Sequence, residues 1–206
     1  MLFSYKLKIA IKLSFCSLVF LFACQPAEED LETSLDTHPY YDLQGLISRQ
    51  IALLDSLSPE VAISARIGAR EEQTKVRKDS AAWAETLQLY ADADLNNPVL
   101  RGMYQEKDSS LNDSPWQARI YRAHEPEEVD IPYLKVYYED SPENVRYVEA
   151  LFREENPLYS TRRLMSLQFS EENGSPRLTG FKTLGRQKMI FRDSVTYVTT
   201  GKLVYQ

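Results

Sequence analysis

Residues 116–139 read WQARIYRAHEPEEVDIPYLKVYYE. Two short runs, Gln117 to His124 and Tyr133 to Glu139, are rich in aromatic and aliphatic residues and are separated by the turn-forming step Glu125-Pro126. The same texture continues to the end of the chain. Further runs lie at Val145 to Arg153, Leu158 to Ser170, Arg177 to Phe191 and Val195 to Val204. Between them stand Asp140-Ser141-Pro142-Glu143-Asn144, Asn156-Pro157, Glu172-Asn173-Gly174-Ser175-Pro176 and Arg192-Asp193-Ser194. Loops this short can join only antiparallel neighbours, so the sequence predicts a meander of about six strands. Gly180 and Gly185 fall in or near the fifth run, where glycine permits a bulge or a bend and hence a curved sheet.

Upstream the period changes. Asp42 can cap a helix whose apolar residues Leu43, Leu46, Ile47, Ile51, Leu54 and Leu57 recur by threes and fours, and Pro59 stops it. Val61, Ile63, Ala65 and Ile67 then alternate with smaller or polar residues, the period of a strand. Gly68 permits a turn into a polar edge strand at Glu72 to Lys78. A second helix is predicted from about Ser80 to Ala93, capped by Asp79 or Ser80, with Trp83, Leu87, Tyr90 and Ala91 on one face. The stretch from there to Pro115 reads as loop, with a turn of helix near Val99 to Tyr104. The expected fold is therefore α+β: N-terminal helices packed on a curved, mostly antiparallel sheet, a meander of about six strands plus an early hairpin, in a single domain over 40–206.

Few constellations suggest chemistry. Asp92-Ala93-Asp94-Leu95-Asn96-Asn97 opens like a calcium loop, but Asn97 stands where glycine is needed and Met103 where a bidentate glutamate is needed, so it reads as a helix end with solvated acids. His124-Glu125-Pro126-Glu127-Glu128 resembles the start of a zinc-protease helix, but Glu128 replaces the second histidine and Pro126 breaks the helix. No Gly-x-Ser-x-Gly elbow or phosphate-cradling glycine loop occurs. The acid pairs Asp92 with Asp94, and Glu127 with Asp130, read as solvated surface. These readings assign no catalytic residue, metal or cofactor, and the protein is expected not to be an enzyme.

Tyrosines stand out more. Tyr133, Tyr137, Tyr138, Tyr147 and Tyr159 lie on predicted strands and form the candidate binding surface, since tyrosine offers a flat apolar face and a polar tip to a ligand. Strand propensity produces the same enrichment without a ligand. Arg153, Arg162 and Arg163 form either a basic patch or cross-strand partners for acids.

The N-terminus speaks to location. Lys6, Lys8 and Lys12 precede the apolar segment Leu13 to Phe22, which is too short for a span of about twenty residues and suits an export signal. The formal charge of the whole chain is −6, and loss of these three lysines would make it more negative still, which disfavours nucleic acid as a partner. Leu21-Phe22-Ala23-Cys24 resembles the lipobox of bacterial lipoproteins. That resemblance implies a signal peptide over 1–23, cleavage, and acylation of Cys24, which anchors the chain in a membrane. The other cysteine, Cys16, would leave with the signal, so the folded part carries no thiol chemistry. Residues 24–39 are acidic and polar and read as a flexible tether.

Gln25, Ala27, Glu28 and Glu29 resemble the lipoprotein export signal of Bacteroidota. The mature chain is similar to uncharacterised outer-membrane lipoproteins of that phylum through Tyr41-Asp42-Leu43-Gln44-Gly45, Asp94-Leu95-Asn96-Asn97-Pro98 with Trp83 before it, and Gly185-Arg186-Gln187. The resemblance implies the outer membrane, at its surface or its periplasmic face, and implies no activity. The expected function is a non-enzymatic module that engages a protein or a glycan. A second expectation is a lipid or lipoprotein carrier, because helices on a curved sheet resemble the half-barrel of lipoprotein-localisation proteins; it requires a hollow interior. A hydrolase is the third, and it requires His124 or clustered carboxylates to converge in a cleft.

Overall fold

The computed structural model describes residues 39–111 and 114–205. The signal segment, Cys24, the tether as far as His38 and the export-signal residues lie outside the described residues. The unit from Thr37 to Gln206 has a hydrophobic cluster whose described members run from Tyr40 to Leu203.

Helix α1 spans Leu43–Leu57 and is followed by the hairpin β1 (Glu60–Ile67) and β2 (Arg70–Arg77), then by helix α2 (Ser80–Ala91). Strands β3 (Tyr104–Ser110), β4 (Trp116–Ala123), β5 (Tyr133–Glu139), β6 (Val145–Glu155), β7 (Tyr159–Glu172), β8 (Ser175–Met189) and β9 (Val195–Val204) follow. Together they form one nine-stranded sheet in the order β2-β1-β9-β8-β7-β6-β5-β4-β3, every pairing antiparallel. Among the described residues the fold is mostly β, with two α-helices. The meander has seven strands and not six. The stretch read as loop before Pro115 contains β3, and the helical turn expected near Val99 is the short 3-10 turn Pro98–Leu100. β3 escapes a hydrophobic reading because it is an edge strand, where only Tyr104 is buried and Gln105 to Asp108 face water.

Local sequence explains the elements. Asp42 caps α1, its carboxylate accepting from the Gly45 amide at 2.8 Å. Asp79 caps α2 in the same way, accepting from the Ala82 amide at 2.8 Å. A Cβ at position 45 would overlap the Asp42 carboxylate, so glycine there leaves room for the cap. α1 ends before Pro59 with Ser58 in the left-handed region. The register shifts near Gly180, where Gln168 faces Gly180 and Phe169 faces Leu178, so Thr179 is the extra residue of a bulge.

The register sorts residues between the two faces. Tyr121, Leu134, Ala150, Met165 and Thr183 stand opposite one another across β4 to β8, and Val136, Val148, Leu167 and Phe181 form the next row. Both rows are buried, in one cluster with Leu43, Leu46, Ile47 and Leu54 of α1 and Trp83 and Leu87 of α2. The helices therefore cover this face. Two polar side chains fix them: the Tyr90 hydroxyl lies 2.9 Å from Thr183 Oγ1, and buried Gln50 donates to the Pro176 carbonyl and accepts from the Leu178 amide, each at 2.8 Å. Gln50 thus satisfies backbone groups beside the bulge that the ladder leaves unpaired. The void between Leu43, Tyr90 and β6–β7 is only ≈ 10 Å³.

Candidate functional site: the uncovered sheet face

Side chains alternate along a strand, so the residues between the core rows must point the other way. Tyr133, Leu151, Leu164 and Leu184 stand directly opposite one another across β5, β6, β7 and β8, and Val198 of β9 extends the row. Among the described residues no helix covers this face. A neighbouring row, two residues along each strand, contains Arg153, Arg162, Arg186 and Thr196. The two rows line an open groove of ≈ 380 Å³, whose floor includes Leu151, Leu164 and Leu184. Arg162 and Arg186 also line an adjoining depression of ≈ 260 Å³.

Three arginines side by side across a sheet repel one another unless anions intervene. Arg153 is neutralised, since its Nη1 lies 2.6 Å from Glu127 Oε2 and its Nη2 donates to the Pro126 carbonyl at 2.6 Å. Arg186 donates only to Ser194 Oγ at 3.3 Å, and among the described residues neither Arg162 nor Arg186 has a carboxylate partner. A carboxylate or phosphate on a ligand would find two guanidinium groups beside an aliphatic floor.

The five candidate tyrosines do not form one surface. Tyr133, Tyr137 and Tyr147 share the uncovered face, the last two with ring centroids 5.6 Å apart. Tyr138 pairs with Val145 on the helix-covered face and is buried. Tyr159, at the start of β7, falls on the helix-side register, and its hydroxyl bonds to Glu154. Tyr133 itself is engaged: it donates to Glu149 Oε1 at 3.2 Å, while Lys135 Nζ lies 2.8 Å from the same oxygen and 4.6 Å from the Tyr133 ring centre. Burial first, and then the Glu149 charge, raises the Tyr133 phenol above its ordinary pKa. Burial works against charge on Lys135, but Glu149 outweighs it and holds the ammonium above its ordinary pKa.

The basic trio divides as well. Arg153 and Arg162 lie together, whereas Arg163 points to the other face, its Nε donating to Tyr197 Oη at 3.1 Å and its guanidinium 4.7 Å from the Phe152 ring centre. Sequence reasoning missed Arg186 and the aliphatic row. Only the register places Leu151, Leu164 and Leu184 on one line, and the register depends on the bulges that interrupt it.

The two acids of the calcium-like stretch part ways: Asp92 accepts from the Gln88 side-chain amide at 2.7 Å, and Asp94 serves the backbone. Asp94 accepts from the Gln44 amide at 2.8 Å and the Asn96 amide at 2.7 Å. Asn96 accepts from the Tyr40 amide at 3.0 Å and donates to the Tyr41 carbonyl at 3.2 Å. Asn97 accepts from the Val99 amide at 3.1 Å, capping the turn that Pro98 begins. The motifs Tyr41-Asp42-Leu43-Gln44-Gly45 and Asp94-Leu95-Asn96-Asn97-Pro98 are thus two halves of one clasp that fixes the entry to α1. The third motif has a packing reason: a Cβ at Gly185 would overlap the Tyr197 ring lying across it. His124 sits at the end of β4 with its amide donating to the Met103 carbonyl at 2.9 Å. Among the described residues no three His, Cys, Asp or Glu side chains gather as a metal site would need.

Among the described residues the architecture is an antiparallel meander with one face covered by two helices and the other without a helix on it. In comparison with known proteins, no family model and no curated sequence matches the chain.

Proposed function

We propose that the protein is a non-enzymatic, lipid-anchored binding module of the outer membrane, tethered through acylated Cys24, that engages its partner with the uncovered face of its sheet. One observation carries the reading: an aliphatic row that surfaces at half-buried Leu164 and exposed Leu184 lies beside two arginines that, among the described residues, lack anionic partners. Sheet faces left bare with this composition are costly in water unless something covers them. The groove is shallow and open, which suits a macromolecular contact better than an enclosed small ligand. Its floor is leucine and not stacked aromatic rings, which favours a protein segment with acidic groups over a glycan. The carrier reading needs a hollow interior on the curved side, and a void of ≈ 10 Å³ under the helices gives it no support.

Two experiments test this. Fatty-acid labelling of the wild type against Cys24→Ser reports the anchor, with label expected only in the wild type. A photo-crosslinking residue at Leu184, compared with one at exposed Glu85 on α2, reports the surface in intact cells. A protease-sensitive adduct specific to position 184 and lost with Arg162→Glu is expected. A glycosidase-sensitive adduct would make the partner a glycan, and equal labelling from both positions would refute the surface.

A further inference from the structure

The two ends of the strands differ. At one end lie the turns after β5 and β7, which are polar and acidic, with Asp140, Glu143, Glu171 and Glu172. At the other end lie the turns between β1 and β2, β6 and β7, and β8 and β9. This second end exposes Ile67, Leu158, Met189, Ile190, Phe191 and Val195. Phe191 is 96% exposed and Leu158 is 66% exposed. They belong to one tip, because the Ile190 amide donates to the Leu158 carbonyl at 2.9 Å and the Gly68 amide, next to Ile67, donates to the Thr196 carbonyl at 3.2 Å.

Turn chemistry does not account for Phe191. Its φ is 61°, in the left-handed region that a bulky side chain rarely adopts. The β7–β8 turn meets the same demand with Asn173 and Gly174, at φ 52° and 76°. At the apolar end the strained position instead holds an aromatic ring out in water, which costs conformational energy and solubility together. Exposed cations share this end, Arg70, Arg186, Lys188 and Arg192, with the acids Glu71, Asp193, Glu154 and Glu155, of which Glu154 is bonded to Tyr159 and Glu71 to Ser64 and Gln73. No described helix is long and apolar enough to cross a membrane.

We infer that the turn tip of Leu158, Ile190 and Phe191 inserts into the interfacial layer of an anionic lipid bilayer, with Lys188, Arg192 and Arg70 on the headgroups. Apolar side chains between basic residues suit that layer, where rings enter the acyl boundary and long cationic side chains reach the phosphates. This contact is separate from the acyl anchor and from the groove partner.

The test uses residues 37–206, the unit with its own core, sedimented with vesicles of equal parts phosphatidylglycerol and phosphatidylcholine. Wild type is expected to bind, and Ile190→Ser with Phe191→Ser to weaken binding by about tenfold or more. Lys188→Gln with Arg192→Gln should weaken it severalfold and reduce its salt sensitivity. Phe191→Trp keeps an aromatic ring at the site, and its emission should shift to the blue on vesicles. Absence of vesicle binding, or binding untouched by the serine pair, overturns the inference. So does self-association of the wild type in lipid-free solution that Phe191→Ser abolishes while vesicles bind nothing, which would assign the tip to a second copy.

Discussion

Along β7, adjacent residues meet opposite surroundings. Met165 and Leu167 are sealed beneath the helices, whereas Leu164, between them and the strand's start, lies on the bare face next to the exposed Leu184. The same side-chain type thus does different things on the two sides of one strand. Under the helices leucine supports the fold, and on the other face Leu184 lies exposed, free of that duty. The largest test of that contrast is a matched pair. Leu167→Ala should cost about 2–5 kcal/mol, because it removes buried methyl groups and leaves a cavity. Leu184→Ala should change stability by no more than about 0.5 kcal/mol. Urea titrations of the two variants compare them directly, and equal losses would show that both faces are core.

The covered side also depends on polar pins, and the clasp at α1 is the strongest. Asn96→Ala removes the acceptor of the Tyr40 amide and a donor to the Tyr41 carbonyl at a half-buried site. Leaving such groups unpaired should cost about 1–3 kcal/mol. Hydrogen exchange should then quicken at the first turn of α1 and remain unchanged at β7. Uniform acceleration would mean that the clasp is part of the global unfolding unit and not a local latch.

Much of this was legible from sequence wherever one residue type has one job. Asp42 caps its helix as read, Asp79 is the one of two candidates that caps the second, the β1–β2 hairpin turns at Gly68, and strands β5 and β9 have the bounds that their apolar runs mark. β3 was hidden because an edge strand buries little, so its sequence has no reason to alternate. The candidate site was legible in part. Tyr133, Tyr137 and Tyr147 do share a face, but Tyr138 follows Tyr137 directly and must point the other way. Five tyrosines within a few strands cannot be sorted without parity and register. Gln50 carries no signal at all, being a polar residue on an apolar helix stripe whose purpose lies 126 positions away at the Pro176 carbonyl.

Alkali should probe the covered side selectively. Burial raises Tyr90 from 10.0 to about 12, against the opposing hydrogen bond to Thr183, and burial likewise raises Tyr121 to about 12. A group whose folded pKa is raised favours the folded state below its unfolded pKa. This stabilisation is therefore complete below pH 10.0 and is lost progressively as pH rises towards 12. Tyr90→Phe should lower stability at neutral pH by about 1 kcal/mol through the lost hydrogen bond, and should flatten the alkaline decline. Melting curves at rising pH measure both, and an unchanged alkaline slope would show that Tyr90 ionises as freely in the fold as in the open chain.

Acid probes the opposite kind of contact and should give the smallest effect. Arg146 Nη2 lies 2.7 Å from Glu139 Oε2 and 2.5 Å from Glu171 Oε2, and its hydrogen bond holds the Glu171 carboxyl below its ordinary 4.5. A lowered folded pKa contributes stability above the unfolded value and loses it as pH falls from about 4.5. Glu171 is open to solvent, so water screens the pair, and Arg146 retains Glu139 when Glu171 is replaced. Glu171→Gln should therefore leave neutral-pH stability unchanged within the resolution of a urea titration and only soften the decline in acid. A large loss at neutral pH would mean that the charges beside the β5–β6 turn hold the sheet as firmly as the leucines beneath the helices, and the division between a dry structural face and a wet outer one would no longer hold.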